Sequence, residues 1–357
     1  MRFLVLDIGA GTMDVLYYDS ETGVHFKAVA KSPVISMAEK AESLPGNLLI
    51  TGREMGGGTI SRVLKRRAGK DEVVMSASSS ATIHHDMERV RSFGIRVIED
   101  KEAESLRMDE KYSHLHIQDL DLDRINHLVK GMGVPFSFDI VGICAQDHGR
   151  PPGGASHLDF RHKIFKARLD KNPFPHAMLY RDKEIPDRMS RLTSIAESAR
   201  ILEPEEIYVM DSGMAAVLGA SLDPTACGKD KIIVLDVATS HTIAAVLEKG
   251  EIAGFFEYHT SDIHLERLES LIIDLAEGRL EHKIILEQGG HGAYIRKYFG
   301  FQAVEIILAT GPKRFLVENS RLSIIKGAPL GDNMMTGTFG VLEAIRKKKG
   351  LPQFSLS

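Results

Sequence analysis

The sequence contains few cysteines and no long apolar stretch. Its 357 residues include only Cys144 and Cys227, and two cysteines cannot form a disulfide framework or a metal site with four cysteine ligands. No segment reaches the roughly 18 uncharged apolar residues that a membrane-spanning helix needs. The first residues, with one arginine and a short apolar run before Asp7, lack the pattern of a signal peptide. These absences predict a cytoplasmic protein.

Neither sign of charge dominates the composition. The chain has 45 lysines and arginines against 49 aspartates and glutamates, which gives a net charge of −4. This balance offers no electrostatic argument for binding nucleic acid or a membrane surface. The basic run at residues 346–349 is typical of a solvated helix terminus. The length exceeds that of one ordinary core and predicts two domains.

The most informative segment lies near the start of the chain. An apolar strand runs directly into Asp7, Gly9, Gly11 and Thr12, and a second apolar strand begins at Val15. Glycines let backbone N–H groups approach phosphate oxygens, threonine adds a hydroxyl donor, and the carboxylate can hold a hydrated Mg²⁺. The loop joins two strands, whereas the glycine loops of P-loop and Rossmann proteins join a strand to a helix. The segment therefore predicts a phosphate-binding β-hairpin.

A degenerate copy of this segment occurs later in the chain. Asp236 aligns with Asp7, at an offset of 236 − 7 = 229 residues, and the copy continues through Thr239, Ser240 and His241 into another apolar strand. Two similar strand–loop–strand units far apart in the sequence indicate duplicated domains that face each other across one nucleotide.

A buried strand pattern at residues 138–145 places polar residues at its carboxyl end. Gln146, Asp147 and His148 follow it directly, and ligands of open α/β sheets lie at such strand ends. We predict that Asp147 is a general base toward a substrate hydroxyl, or that Gln146 orients a water molecule. The alternative for Asp147 is a structural cap of a loop or helix.

Other strand and helix ends add further candidates. Gly57 precedes a predicted helix whose N-terminus can hold an anion, although a tight turn without a ligand fits the same pattern. Asp211 follows an apolar strand and precedes a helix of small residues. Gly311 and Lys313 follow the apolar strand at residues 304–309.

The segment 148–187 is predicted to be an irregular insertion. It carries His148, His157, His162 and His176 among arginines and lysines. One interpretation is a substrate loop, or the metal site of a metal-dependent enzyme. The other is a polar surface insertion, which we favour because the spacing matches no ligand pattern.

The order of the motifs resembles that of the actin, sugar kinase and heat-shock chaperone ATPase superfamily over almost the whole chain. The matching segments are the first phosphate motif at 7–14, the first connecting helix at 213–219, the second phosphate motif at 236–242, the adenosine motif at 308–314 and the second connecting helix at 335–345. The resemblance implies an α/β fold of two actin-like ATPase domains, each a ribonuclease-H-like unit, that flank a nucleotide cleft. The implied domains are residues 1–212, to which a C-terminal helix at 335–350 returns, and residues 213–334.

Two short segments resemble a narrower family of archaeal and bacterial proteins that are described as pyruvate formate-lyase activating enzymes. These segments, at residues 146–149 and 290–293, contain His148 and His291. Both histidines are candidates for contact with substrate or phosphate, and a satisfied structural histidine is the alternative for each. Residues 284–286, before the second segment, are predicted to form a strand. The Cys-x-x-x-Cys-x-x-Cys run that holds the iron–sulfur cluster of radical-generating activases is absent from this sequence.

The resemblance to the ATPase superfamily implies ATP and Mg²⁺ as cofactors. Asp7 and Asp236 would organise the metal ion through water, and Gly311 with Lys313 would lie near the base and ribose. The residues implied to bind the nucleotide are Asp7, Gly9, Gly11, Thr12, Asp236, Thr239, Ser240, His241, Gly311 and Lys313. Ser240 stands where the family has glycine and His241 where it has threonine, so we expect slow rather than rapid hydrolysis.

The leading hypothesis is an ATP-dependent phosphotransferase acting on a small molecule, or a slow ATPase. Its catalytic candidates are Asp147, Gln146 and Asp211, and phosphoryl transfer needs mainly positioning and charge neutralisation. The alternatives are a non-catalytic nucleotide-dependent switch or assembly protein, and an ATP-dependent activator of a partner enzyme. We expect no nucleic-acid or membrane partner, and the sequence leaves a homodimer open.

Overall fold

The computed structural model describes residues 1–153 and 155–352. Its strands are β1 (Arg2–Ile8), β2 (Thr12–Asp19), β3 (His25–Lys31), β4 (Asn47–Gly52), β5 (Val73–Ser76), β6 (Ile95–Ile98), β7 (Tyr112–Ile117), β8 (Ile140–Ala145), β9 (Leu179–Arg181), β10 (Glu206–Asp211), β11 (Lys231–Val237), β12 (His241–Glu248), β13 (Glu251–His259), β14 (Gly292–Ile295), β15 (Ile306–Thr310) and β16 (Ile324–Lys326). Its α-helices are α1 (Pro33–Ser43), α2 (Gly58–Ala68), α3 (Ala77–Ser80), α4 (Met87–Arg91), α5 (Asp100–Ser105), α6 (Leu122–Gly131), α7 (His157–Leu169), α8 (Ser190–Ala199), α9 (Ser212–Ala220), α10 (Leu265–Ala276), α11 (His282–Glu287) and α12 (Thr336–Lys349).

Two six-stranded sheets share one core topology. The strand order is β3–β2–β1–β8–β10–β9 in the first sheet and β14–β13–β12–β11–β15–β16 in the second. In each sheet three consecutive antiparallel strands are followed by a strand that pairs in parallel with the first of them, β8 with β1 and β15 with β11. Strands β9 and β14 add an antiparallel edge. The prediction of a duplicated α/β fold is therefore confirmed.

The duplication extends to the register of the first hairpin of each sheet. Asp7 lies opposite Asp14 in the β1–β2 pair, and Asp236 lies opposite Ile243 in the β11–β12 pair. The differences 236 − 7 and 243 − 14 both equal 229 residues. The offset read from the sequence is thus also the structural offset.

A third, smaller sheet is inserted between β3 and β8. Its four parallel strands have the order β6–β5–β4–β7, and it shares an apolar core with α1 and α2. The predicted first domain, residues 1–212, includes this unit without separating it. Its importance for the site is that it places the turn before α2 at the wall of a large cavity.

Helices α9 and α12 cross where glycines allow their backbones to approach closely. A Cβ on Gly219 would lie 1.9 Å from Thr336 O, and a Cβ on Gly340 would lie 1.8 Å from Ala215 O. Only glycine permits so close an approach. Helix α12 also packs on β1 and β8 of the first sheet. The division of the chain at residue 212 stays a prediction.

Two local predictions are wrong. The segment 148–187 is not irregular, because α7 occupies its centre and β9 pairs with β10. The buried positions of α7 are Arg161, Phe165 and Leu169, and the arginine interrupts the apolar periodicity that identifies a helix. Residues 284–286 belong to α11 rather than to a strand, and β14 begins only after the glycine turn.

Two further observations concern the helices and the cysteines. Within residues 1–153 and 155–352, no helix combines the length and apolar character needed to cross a membrane. Cys144 is buried, Cys227 is exposed, and both are free thiols.

Candidate functional site

The first phosphate hairpin is closed by a backbone hydrogen bond and held against α12. Gly9 N donates to Thr12 O over 2.9 Å. The side chain of Asp7, at the end of β1, contacts the first turn of α12 so closely that a Cβ on Gly337 would lie 2.0 Å from Asp7 Oδ2. A carboxylate is favoured at this position because helix N-termini carry partial positive charge.

The second phosphate hairpin has the same main-chain geometry with different side chains. Ala238 N donates to His241 O over 3.0 Å, the bond equivalent to that of the first hairpin, since 238 − 9 and 241 − 12 are both 229. Lys313 supports this hairpin, because its ammonium group donates to Thr239 O over 2.9 Å. The loop conformation therefore survives the replacement of its glycines.

The two hairpins face each other across a short gap. A Cβ on Gly11 would lie 2.9 Å from Thr239 Oγ1, so the loops of the first and second sheets lie close together. Gly311, with a φ of +89°, closes the same region, and its carbonyl oxygen accepts a hydrogen bond of 3.0 Å from Asn333 Nδ2.

Three carboxylates stand beside the hairpins: Asp14 is buried, and Asp7 and Asp236 are half-buried. Burial raises the pKa of Asp7 to about 7, that of Asp14 to about 8 and that of Asp236 to about 6. Repulsion from Asp7 raises the pKa of Asp14 further, whereas Thr310 Oγ1 donates to Asp236 Oδ1 over 3.0 Å. Within the described residues, Asp14 Oδ1 is buried and has no hydrogen-bond partner. Crowded carboxylates with an unpaired oxygen suit a cation.

A buried ion network connects the two sheets. Glu257 on β13 accepts hydrogen bonds from Arg161 and, over 2.6 Å, from Gln146 Nε2. Arg161 also donates to Asp211 Oδ2 over 2.8 Å. Burial opposes the charge on Glu257, yet the Arg161 guanidinium holds the pKa of this carboxyl well below its usual range. Two catalytic candidates, Gln146 and Asp211, thus belong to a network that includes both sheets.

Four imidazoles lie together at one end of the cavity, and we call them the histidine group: His148, His241, His259 and His291. The ring centroids of His241, His259 and His291 are 4.4–4.7 Å apart. The ring of His148, from the first sheet, is 5.8 Å from that of His291. Burial lowers the pKa of His241 to about 3 and that of His148 well below its usual value. These two rings are therefore neutral at pH 7.

Asp147 is fixed by main-chain donors. Its Oδ1 accepts a 2.7 Å hydrogen bond from Gly149 N, and its Oδ2 accepts a 3.0 Å bond from Leu192 N. Burial raises its pKa to about 6, with a contribution from the nearby charge of Glu54. The carboxylate therefore stabilises the loop and the start of α8, and its role as a base stays a prediction.

The small sheet supplies the remaining wall. Gly57 precedes α2 as its N-cap, where a Cβ would lie 2.7 Å from Thr82 O. Nearby, His85 Nε2 lies 2.8 Å from Glu54 Oε1. This wall adds polar groups to the cavity that the phosphate hairpins also line.

These elements enclose one cavity of about 710 Å³, a volume typical of small-molecule sites. Asp211 and Lys313 are not among the cavity-lining residues. The other candidates from the sequence all line it: Asp7, Gly9, Gly11, Thr12, Gly57, Gln146, Asp147, His148, Asp236, Thr239, Ser240, His241, His291 and Gly311.

Sequence reasoning missed several lining residues. Asp14, Glu54 and His85 line the cavity, as do Glu257 and His259. Glu257 and His259 are two positions apart on β13 and so share a face of the sheet. A predicted pairing of β12 with β13 could have identified His259, which lies opposite His241. No local sequence pattern identifies Glu54 or His85 as a residue of the cavity.

Solved structures with similar folds are distant from this chain. An inorganic polyphosphate/ATP-glucomannokinase from Arthrobacter sp. strain KM is 10% identical, with 97% of this chain and 99% of that chain covered and a TM-score of 0.36. A ROK hexokinase from Thermus thermophilus is 12% identical, with 98% and 100% covered and a TM-score of 0.32. A chain of the PilM–PilN type IV pilus biogenesis complex is 11% identical, with 99% of each chain covered and a TM-score of 0.39. Similarity at these levels assigns no activity.

The sequence comparisons are more decisive. No curated protein matches the chain in sequence. One family model matches residues 55–316, which is 316 − 55 + 1 = 262 of the 357 residues and includes Asp147, the histidine group and the second phosphate hairpin. The chain belongs to the family described as "putative pyruvate format-lyase activating enzyme".

Proposed function

We propose that the protein binds Mg²⁺·ATP between the two hairpins and transfers the γ-phosphoryl group to a hydroxyl of a small molecule, or slowly to water. One observation carries this proposal: two hairpins with the same closing hydrogen bond, at Gly9 and Ala238, meet at Gly11 and Thr239. Facing loops offer donors to a phosphate chain from two sides, and phosphoryl transfer depends mainly on such positioning.

The carboxylates beside the hairpins fit a hard cation. The unpaired Oδ1 of Asp14 and the raised pKa values of Asp7 and Asp236 are expected where a bound cation compensates crowded negative charge. We infer that these three residues would hold Mg²⁺, which when bound neutralises charge on the phosphates.

The protein groups have separate tasks in this proposal. The loop at Gly9–Thr12 would donate to phosphate oxygens, and Thr239 with Ser240 would do so from the opposite side. Gly311 would lie at the nucleoside, while Lys313 would hold the second hairpin in place through Thr239 O.

Asp147 would accept the proton of the substrate hydroxyl. Its pKa of about 6 lies close to neutrality, as a general base requires, and its two backbone hydrogen bonds fix its orientation. Asp211 would position Arg161, which in turn positions Glu257 and Gln146. His148, His291 and Gly57 line the space left for a substrate. We propose a cytoplasmic location, with which two free thiols are compatible.

Calorimetric titration with a non-hydrolysable ATP analogue and Mg²⁺ tests the binding step. We expect one site in the wild type and at least a tenfold loss of affinity in Gly11→Val, because the added side chain occupies the gap in front of Thr239. Gly131→Ala is the control, since a Cβ at Gly131 meets no other atom within 4 Å. Absence of nucleotide binding by the wild type would overturn the proposal.

A nucleotide-dependent switch is the second candidate. It is favoured by the Arg161 network, which links Glu257 of the second sheet to Asp211 of the first and would respond to movement between them. The two candidates differ in product: the enzyme forms ADP when hydroxylated metabolites are supplied, and the switch does not. Nucleotide binding without ADP formation above background would select the switch.

A further inference from the structure

Three members of the histidine group converge from neighbouring strands of the second sheet. His241, at the start of β12, lies directly opposite His259, at the end of β13. His291 precedes β14, and its backbone N–H donates to the backbone carbonyl oxygen of Glu257 over 2.8 Å. Each of the three residues offers a nitrogen that lies within 4.8 Å of the other two. Nitrogens bound to one tetrahedral zinc ion are about 3.4 Å apart, so small rotations of the rings suffice to bring them to ligand distance.

The same cluster contains polar atoms without partners. His241 Nε2 and His291 Nδ1 are buried and accept or donate no hydrogen bond within the described part of the chain, and the same is true of His148 Nδ1. Buried polar atoms in folded proteins are nearly always satisfied. His291 Nδ1 has the Glu257 carboxylate nearby, and the unsatisfied nitrogens of His241 and His148 point to a ligand that completes them.

A carboxylate stands next to the cluster. Glu257 Oε1 lies 3.6 Å from His291 Nδ1, which is too long for a hydrogen bond and close enough to become one after a small ring rotation. Arg161 and Gln146 hold Glu257 in place. Carboxylates in this position fix the tautomer and orientation of metal-bound imidazoles.

The ligand type selects the metal. Imidazole nitrogens suit zinc, copper, nickel and iron, whereas Mg²⁺ prefers the oxygen ligands found at Asp7 and Asp236. We propose that His241, His259 and His291 form a binding site for one divalent transition-metal ion, with Zn²⁺ as the expected occupant. This site is separate from the carboxylates beside the hairpins and does not depend on nucleotide binding.

The position of the site indicates what a bound metal ion would meet. Three histidine ligands leave a coordination position open for water or for a substrate oxygen, and all three residues line the cavity of the phosphate hairpins. His148 approaches the cluster from the first sheet. A substrate with an oxygen or anionic group could therefore bind the metal within the same cavity.

Metal titration of the untagged 357-residue chain tests this proposal. After dialysis against a chelator, the protein is titrated with Co²⁺ and followed by visible spectroscopy, and Zn²⁺ affinity is measured by competition with a chromophoric chelator. We expect one equivalent of Co²⁺ with the intense ligand-field bands of a tetrahedral nitrogen site, displaced by one equivalent of Zn²⁺. Wild-type protein that gives no such bands and binds no stoichiometric Zn²⁺ would overturn the proposal.

Variants locate the ion. His241→Ala and His259→Ala should each weaken Zn²⁺ binding at least 100-fold, whereas His264→Ala, which removes an exposed histidine of the same half of the chain, should bind like the wild type. Asp7→Asn should also keep full Zn²⁺ affinity. Wild-type Zn²⁺ affinity in each of the two single histidine variants, or loss of Zn²⁺ binding in Asp7→Asn, would show that the metal binds elsewhere and would contradict the proposal.

Folding and nucleotide binding are controlled separately. Circular dichroism and the thermal midpoint show whether a histidine variant is folded, and His259→Gln replaces His259→Ala if the alanine variant is not. Nucleotide titration of the metal-free wild type reports on the phosphate hairpins alone. If the protein binds the ATP analogue but no Zn²⁺, the proposed function stands and the zinc site is wrong. If it binds Zn²⁺ but not the ATP analogue, the zinc site stands and the proposed function is wrong.

Discussion

The two phosphate hairpins share a backbone and differ in their side chains. Their closing hydrogen bonds and registers are equivalent at an offset of 229 residues, but His241 stands in place of Thr12 and Ile243 in place of Asp14. The first hairpin therefore carries two carboxylates opposite each other, Asp7 and Asp14. The second hairpin instead places the imidazole of His241 beside β13. Duplication preserved the main-chain geometry, and the chemistry of the two halves diverged through side chains.

The largest expected effect comes from removing the ion network between the halves. Arg161→Leu leaves Asp211 and Glu257 buried without their cation, and breaking a buried pair in this way costs about 3–5 kcal/mol. Urea denaturation should show a large loss of stability. Lys166→Ala in the same helix is the control, because its partner Asp170 is exposed and such pairs contribute about 0–1 kcal/mol. Equal stability of the two variants would show that the network does not join the halves.

A second substitution acts where the connecting helices cross. Gly340→Ala places a Cβ against the carbonyl oxygen of Ala215, and since backbone cannot move aside as a side chain can, we expect a destabilisation of about 3 kcal/mol. Gly131→Ala, at an exposed position of α6, should instead be neutral or stabilising by up to about 1 kcal/mol. Thermal midpoints compare the two variants, and an unchanged midpoint for Gly340→Ala would refute the close crossing.

A pair of substitutions separates the tasks of the hairpins. Thr12→Ala should weaken binding of the ATP analogue by about tenfold, or about 1.4 kcal/mol, because a hydroxyl donor to phosphate is lost. His241→Ala, at the equivalent position, should change nucleotide affinity less than threefold. Calorimetry in Mg²⁺ without zinc measures both. Equal losses would mean that the second hairpin binds phosphate as the first does.

A further effect concerns pH. The pKa of Asp14 is about 8 in the folded protein against a usual value of 3.8, so between about pH 4 and pH 8 the unfolded chain releases a proton that the folded chain keeps. This carboxyl therefore makes stability fall as the pH rises through that window. When the pH is raised from about 4 to about 8, in chelator and without nucleotide, the thermal midpoint of the wild type should fall. That of Asp14→Asn should fall by a few degrees less. Exposed Asp187→Asn should follow the wild type.

Local features of this fold could be predicted from the sequence. The hairpin around Asp7, its copy at Asp236 and the strand before Gln146 depend on neighbouring residues, and glycine turns between apolar segments identify them. The fold class followed from the order of these motifs, and the family followed from the segments at residues 146–149 and 290–293.

Features that depend on distant contacts could not be predicted. His241, His259 and His291 come together only through the pairing of three strands, and their spacing in the sequence carries no metal-binding pattern. Helix α7 escaped detection because Arg161 occupies a buried position that helical periodicity reserves for an apolar residue. Both failures have the same cause, since the residues are determined by partners more than 15 positions away.

The glycine crossing of α9 and α12 also has a mechanical consequence. Gly219 and Gly340 meet through their backbones, so no side chain lies between the two helices there and this point would be the pivot of a rotation between them. Gly337, one turn earlier in α12, touches Asp7, which places the pivot close to the base of the first hairpin. A small rotation about this pivot would change the separation of the His148 ring of the first half from the His291 ring of the second.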